Sequence, residues 1–276
     1  MTRPVCLSLF DYSGEWARPW LATHRVILAD VRHPLGWRDY DKDGLATLGA
    51  DARFWRNNFA LLGAFRDVDC VLSAPPCTHF SKAGARLWNA KDADGRTAEH
   101  LDMVRCTLDL IDALQPRVWA LENPPGRLAN KGGTGLMQTE LGVPRYEFDP
   151  CDHGDAHRKR TYLWGQFAIP ARHPVEPATF TNGVPGGRNW LARLSSKDER
   201  RRTTPAGFAR DFYAANKPPV KRGRGRPPKG ATARSVRREI RMEPADAAAL
   251  DALRQPGESR NDADLRVLRA GLASTD

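Results

Sequence analysis

No run of apolar residues in this sequence approaches the roughly 20 that a membrane-crossing helix needs, which excludes a helical bilayer span. Cysteine is scarce. The five present (Cys6, Cys70, Cys77, Cys106 and Cys151) are odd in number and form no C-x-x-C pair. A disulfide framework is thereby disfavoured, and a reduced, cytoplasmic compartment is expected. Met1-Thr2-Arg3-Pro4 runs directly into Val5 to Phe10 with no small-residue cleavage signature, so export is not expected. Excess positive charge is almost absent from most of the chain. Of the net +10, the stretch Lys217 to Arg241 holds +9, from ten Lys/Arg against Glu239, and the other 251 residues carry +1. The remainder is ordinary for a folded protein: 276 residues, 41% hydrophobic and 28% charged, too apolar for a wholly disordered chain.

The first half alternates short β-rich apolar runs with helical stretches. Val5 to Phe10, Arg25 to Asp30, Val68 to Ser73 and Arg117 to Leu121 read as buried strands. Between the last two, Leu101, Val104, Leu108, Ile111 and Leu114 step by three and four and predict a helix over about 97–114, ended by Gln115-Pro116. This alternation predicts an α/β fold, a parallel sheet covered on both faces, with its ligands at the carboxyl ends of the strands. The periodicity breaks after Gly165, and residues 166–200 are rich in Pro, Gly, Asn and Arg. Thr204 to Asn216 then reads as a capped helix with an aromatic face. A linker-like basic stretch comes next over 217–233, and 234–273 regains a helical pattern.

The unusual residues fall after the predicted strands. Ala74-Pro75-Pro76-Cys77-Thr78-His79-Phe80-Ser81 comes after the third strand and places a cysteine in a loop fixed by two prolines. A lone cysteine is by default a small buried hydrophobe, and Cys70 and Cys106, inside apolar runs, fit that description. Cys77 is placed like a nucleophile. Glu122-Asn123-Pro124 ends the next strand, so an acid faces the same crevice. At the start of the chain, Phe10-Asp11-Tyr12-Ser13-Gly14 forms a strand-to-helix turn in which Gly14 permits close backbone approach to a ligand. Asp30, sixteen residues after Gly14, is placed to meet a ribose hydroxyl.

In this order the motifs resemble those of the DNA (cytosine-5) methyltransferase family, over about residues 5–216. Phe10 to Gly14 resembles the F-x-G-x-G cofactor motif, and Pro76-Cys77-Thr78-His79-Phe80-Ser81 the P-C-Q-x-F-S nucleophile motif. Glu122-Asn123-Pro124 is similar to E-N-V, and Ala156-His157-Arg158-Lys159-Arg160 to Q-x-R-x-R. Tyr12, Thr78, Pro124 and Ala156 depart from the pattern, as in a divergent, phage-like branch. The resemblance implies a Rossmann-like, S-adenosylmethionine-dependent sheet over 1–165 and a short target-recognition region over 166–200. A closing motif over 201–216 would return to the core.

The resemblance also implies roles. Cys77 would add to a base flipped out of double-stranded DNA while Glu122 steadies the ring; Arg158 and Arg160 would hold a flanking phosphate and the base carbonyl. Phe10, Ser13, Gly14, Trp16, Asp30, Asp51, Pro76 and Asn216 would bind S-adenosylmethionine. Cys151, His153 and His157 make three ligands without a fourth, a poor zinc site, so no metal is expected.

Lys221 to Gly230 resembles an AT-hook, with Arg224 and Arg226 suited to a narrow minor groove. Residues 234–273 resemble a ribbon-helix-helix module, which implies pairing of two chains and DNA contacts by Arg237 and Arg241. Ser81 is a further expected DNA contact. Two other readings fit the same residues: an RNA cytosine-5 methyltransferase, and a catalytically degenerate DNA-binding or regulatory protein.

Overall fold

The computed structural model describes residues 3–51, 67–178 and 203–219. Its framework is one eight-stranded sheet in the order β3-β4-β2-β1-β5-β6-β8-β7. The strands are β1 (Val5–Leu9), β2 (Arg25–Ala29), β3 (Gly36–Arg38), β4 (Leu45–Gly49), β5 (Val68–Ser73), β6 (Val118–Asn123), β7 (Tyr146–Phe148) and β8 (Thr161–Gln166). From β4 through β2, β1 and β5 to β6 every pairing is parallel. β3, β8 and β7 pair antiparallel at the two margins.

The expected α/β, Rossmann-like sheet is what the chain forms. All four sequence-predicted strands are present, and β6 runs two residues beyond its expected end, so Glu122 and Asn123 lie within it. β3, β4 and β7 carry no comparable signal in the sequence. They are short or mix polar with apolar residues, and pairing rather than periodicity defines them.

The alternation of β1 explains how the sheet is covered. Val5, Leu7 and Leu9 face one core, with Ile27, Leu48, Val71, Leu110 and Ile111. Cys6 faces the other, with Trp16, Trp20, Leu28, Leu72, Phe208 and Phe212. Among the described helices are α1 (Trp88–Ala93), α2 (Arg96–Leu114), α3 (Gln138–Leu141) and α4 (Ala206–Asn216). α2 covers the first face and α4 the second, so a strand buried on both sides carries an apolar run.

The buried stripe of α2 is Thr97, Val104, Cys106, Thr107, Leu110 and Ile111. Leu101, Leu108 and Leu114 lie only at its margin, because the helix bridges two clusters. It ends as the sequence predicts, at Gln115 in a left-handed conformation (φ 47°) whose N–H donates to Ile111 O at 2.9 Å.

The helix expected at 204–216 begins at Ala206, and no side chain of its own first turn caps it. The Gly207 N–H donates instead to Asp155 Oδ2 at 2.8 Å. A Cβ at Gly207 would meet the His153 carbonyl, so only glycine allows this close docking. Among the described residues no helix is long and apolar enough to cross a membrane. Residues 179–202 and 220–276 lie outside the described residues, and with them most of the target-recognition region, the AT-hook-like stretch and the ribbon-helix-helix-like module. The DNA contacts expected of Arg224, Arg226, Arg237 and Arg241 fall there.

Candidate active site

From β1 the chain steps outward through β2 to β4, then crosses back to β5 and β6 on the other side. Ligand crevices form at such a reversal, outside the carboxyl ends of the strands. A cavity of about 340 Å³ lies there. Phe10, Asp30, Asp51, Pro76, Cys77 and Glu122, all singled out by sequence, line it together. They come from the ends of five different strands: β1, β2, β4, β5 (Pro76 and Cys77) and β6.

Cys77 is half-buried and opens a short 3-10 turn, Cys77–His79. No disulfide links the five cysteines. Cys6, Cys70 and Cys106 are buried, and burial pushes the Cys70 thiol well above the ordinary range, with Cys6 beside it adding to the effect. Cys151 is part-exposed but lies outside the crevice, and burial together with Asp149 and Asp152 raises its thiol as well. Cys77 is the cysteine that lines the crevice.

The loop carrying Cys77 is held by its carbonyl groups. Asn123 Nδ2 donates to Pro75 O at 3.0 Å, and Phe80 N and Ser81 N both donate to Cys77 O. Lys91 Nζ donates to Thr78 O at 2.5 Å, and Arg127 Nε to His79 O at 3.0 Å. Arg127 is itself fixed by Asp92 and Thr97 and lies over the Trp88 ring. Ser81 bridges to Gly126, where a side chain would collide with the Phe80 carbonyl. His79 is buried against His100, and burial, helped by the charges of His100 and Lys91, lowers it to about 4. Sequence reading misses Lys91 and Arg127, because nothing local marks a lysine thirteen residues downstream as a partner of the loop.

In the crevice wall between Cys77 and Asp30, Phe10 has φ 58°, a left-handed conformation that a bulky residue adopts at a cost of about 1–2 kcal/mol. Its N–H donates to Ala29 O at 2.7 Å, which ties the turn to β2. The next residue, Asp11, organises the turn and is likewise missed by sequence reading. Its buried carboxylate accepts from Ser8 Oγ (2.8 Å), Ser13 Oγ (3.1 Å) and Gly14 N (2.8 Å). Burial still raises its pKa. A signal for it exists, an acid two and three residues before Ser13-Gly14. Ser13 and Gly14 therefore build the turn and are not among the residues lining the crevice. Asp30 is mostly buried, and both of its oxygens accept from Arg32, at 2.9 Å each. The Arg32 guanidinium also lies over the Tyr12 ring.

Two expected cofactor residues lie elsewhere. Trp16 is buried between Phe208 and Phe212 and belongs to the core. Asn216 sits beyond the amino end of β6, across the sheet from the crevice. Its Oδ1 accepts from Ala168 N (2.7 Å), and its Nδ2 donates to Ala168 O and Phe212 O (2.9 Å each). α4 runs away from the crevice, so its last residue pins the extension of β8.

The three basic residues before β8 alternate, as an extended backbone requires. Arg158 and Arg160 do not line the crevice; Lys159 does. Arg160 is bound by Asp149 (2.9 Å) and Glu147 (3.3 Å). Lys159 Nζ lies 3.9 Å from Glu122 Oε1. His153, in the same segment, bridges Tyr146 (3.1 Å) and Asp211 (3.0 Å) and so docks α4.

The fold and crevice thus define a Rossmann-like α/β protein with a cysteine and a carboxylate at the switch point of its sheet. No protein-family model matches the chain. It is 32% identical, over 108 residues, to a Frog virus 3 protein named "Probable DNA (cytosine-5)-methyltransferase", covering 36% of this chain and 46% of that one. It is 28% identical over 131 residues to the type II methyltransferase M.AgeI of Thalassovita gelatinovora, covering 44% and 28%. The chain therefore spans less than half the length of these curated relatives. Among solved structures it is similar to an E. coli protein described as a "putative DNA modification methyltransferase encoded within prophage". That match has a TM-score of 0.42 and 17% identity, over 66% of this chain and 56% of the other.

Proposed function

We propose that this chain transfers a methyl group from S-adenosylmethionine to carbon 5 of cytosine in double-stranded DNA. The observation that carries the reading is the shared crevice. Cys77 and Glu122 stand at one end and Asp30 and Asp51 at the other, with Phe10, after the central β1, in the wall between the two sets. The residues present fit the cofactor. Two carboxylates can accept from ribose hydroxyls and an adenine amine, the Phe10 ring offers a flat apolar wall, and about 340 Å³ is in the range of small-molecule pockets. When bound, the cofactor supplies an electrophilic methyl group.

The protein's part derives from the chemistry of cytosine, which is a poor nucleophile at carbon 5. The Cys77 sulfur, as thiolate, forms a bond to carbon 6. The 5,6 double-bond pair moves to the 4,5 position, and negative charge accumulates on ring nitrogen 3 and the carbonyl at carbon 2. Carbon 5 becomes nucleophilic and would accept the methyl group, the broken sulfur–methyl bonding pair staying on sulfur in a neutral thioether that leaves. Loss of the carbon 5 proton to a base and rupture of the sulfur–carbon bond then restore Cys77. A proton carried by Glu122 can be donated to nitrogen 3 as that charge develops, while its other oxygen accepts from the exocyclic amine. The reaction requires the base outside the stack, at a cost of a few kcal/mol. Arg158, exposed in the chain before β8, is suited to a phosphate flanking that base. The basic stretch 217–241 would tether the enzyme to DNA.

The test is direct. The protein is incubated with duplex DNA or tRNA transcripts and isotope-labelled cofactor, and the products are digested to nucleosides for mass spectrometry. Label in 5-methylcytosine from DNA is expected. Label in RNA alone would make it an RNA enzyme, and none in either would overturn the reaction.

A further inference from the structure

We infer that Lys159, rather than either neighbouring arginine, is the cationic catalytic residue of the crevice, donating to the ring carbonyl of the bound base. This rests on the proposed reaction. Three observations lead to it. First, Lys159 lines the crevice with Cys77 and Glu122, whereas Arg158 and Arg160 do not. Second, Arg160 already spends its guanidinium on Asp149 and Glu147.

Third, Lys159 and Glu122 are mostly buried, with side chains 22% and 15% exposed, yet stand 3.9 Å apart. That is beyond hydrogen-bond reach, about 2.7–3.2 Å. Neither charged group has another hydrogen-bond partner among the described residues. Partly buried side chains without a hydrogen-bond partner gain from a ligand that supplies one. Here they form a gap whose edges present a donor and an acceptor to whatever enters.

Cytosine matches that gap. Its exocyclic amine donates and its carbonyl accepts, on opposite sides of nitrogen 3. With Glu122 on the amine side, the ammonium falls to the carbonyl side, where charge builds as the Cys77 sulfur bonds to carbon 6. A fixed positive donor there favours the adduct over the free base. The main chain supports the placement, because the Lys159 carbonyl accepts from Thr161 Oγ1 at 2.8 Å at the head of β8.

The experiment compares wild type, Lys159→Met, Lys159→Arg, Arg160→Ala and Lys131→Met in the full chain. Lys131 pairs with Glu147 on the surface and serves as the control. Steady-state rates on duplex DNA are read beside trapping on DNA containing 5-fluorocytosine, which has no carbon 5 proton to lose and so retains the adduct. Lys159→Met is expected to lower kcat and the trapping rate by about 10²–10³, with KM for DNA within a few-fold. Lys159→Arg should recover at least tenfold of that loss, and Arg160→Ala should lose at least tenfold less than Lys159→Met. Thermal melts check that each variant is folded. An active wild type with Lys159→Met within threefold of it, or with Arg160→Ala the more damaged, overturns the assignment of Lys159 alone. An inactive wild type overturns the reaction and this inference with it.

Discussion

A cysteine becomes a nucleophile through its surroundings. Cys6, Cys70 and Cys106 are walled into the cores, and burial pushes the Cys70 thiol up, while Cys77 opens onto a crevice shared with Glu122. Cys77→Ala is therefore expected to abolish methyl transfer, since no bond to carbon 6 can form, yet to leave DNA affinity within a few-fold. Label transfer and a binding isotherm on the same preparation check this; a variant that still methylates would remove the adduct mechanism. At the same scale Phe10 shows where the fold tolerates strain. Its left-handed backbone stands in the crevice wall between Cys77 and Asp30, and the Asp11 hydrogen bonds over-determine the adjoining turn.

At the scale of elements, two polar ties hold the sheet to its covering helix. Asp69, in β5, accepts from Arg117 before β6 and from His24 before β2, and Arg117 also donates to the carbonyl of Asn216 at the end of α4. Burial opposes charge on Asp69, but these hydrogen bonds outweigh it and hold the carboxyl at about 2. An unfolded aspartate titrates near 4. The stabilisation is therefore present above about pH 4 and lost as pH falls from there toward 2. Asp69→Asn should cost about 1 kcal/mol at neutral pH after allowance for solvent screening. That difference should shrink to nothing near pH 2, as urea denaturation across that range would show. Asn216→Ala strips three hydrogen bonds and leaves the Ala168 amide without its partner. About 2 kcal/mol of stability should be lost, with cofactor affinity unchanged within twofold by calorimetry. A large affinity loss would return Asn216 to the cofactor site.

Across the whole molecule, charge is segregated. Residues 220–276 carry thirteen Lys/Arg, and the stretch 217–241 holds nearly all the net positive charge. Removal of 220–276 should weaken DNA binding and flatten its salt dependence. If the stretch neutralises about five phosphates, the log–log slope should fall by about four to five, with the crevice residues untouched. An unchanged slope in filter-binding or anisotropy titrations from low to moderate salt would show that the tether lies elsewhere.

By itself the sequence determined the strands that are apolar throughout, the helix with a three-and-four step, and the residues just past each strand. These features are local: periodicity reports burial, and a parallel sheet delivers the residues at its strands' carboxyl ends to one edge. Phe10, Asp30, Cys77 and Glu122 were legible for that reason, and Asp51, after a strand that periodicity does not mark, only through the family resemblance. Tertiary structure decided the features that depend on direction and on distant partners. It turned Lys159 into the crevice and its two arginines away from it, gave Trp16 to the core, and sent Asn216 to the far end of α4. It also brought Lys91 and Arg127 onto the loop that carries Cys77, and Asp155 onto the start of α4. Side-chain direction on an extended segment is fixed by register against neighbouring strands, and a hydrogen bond across fifty residues has no periodic trace.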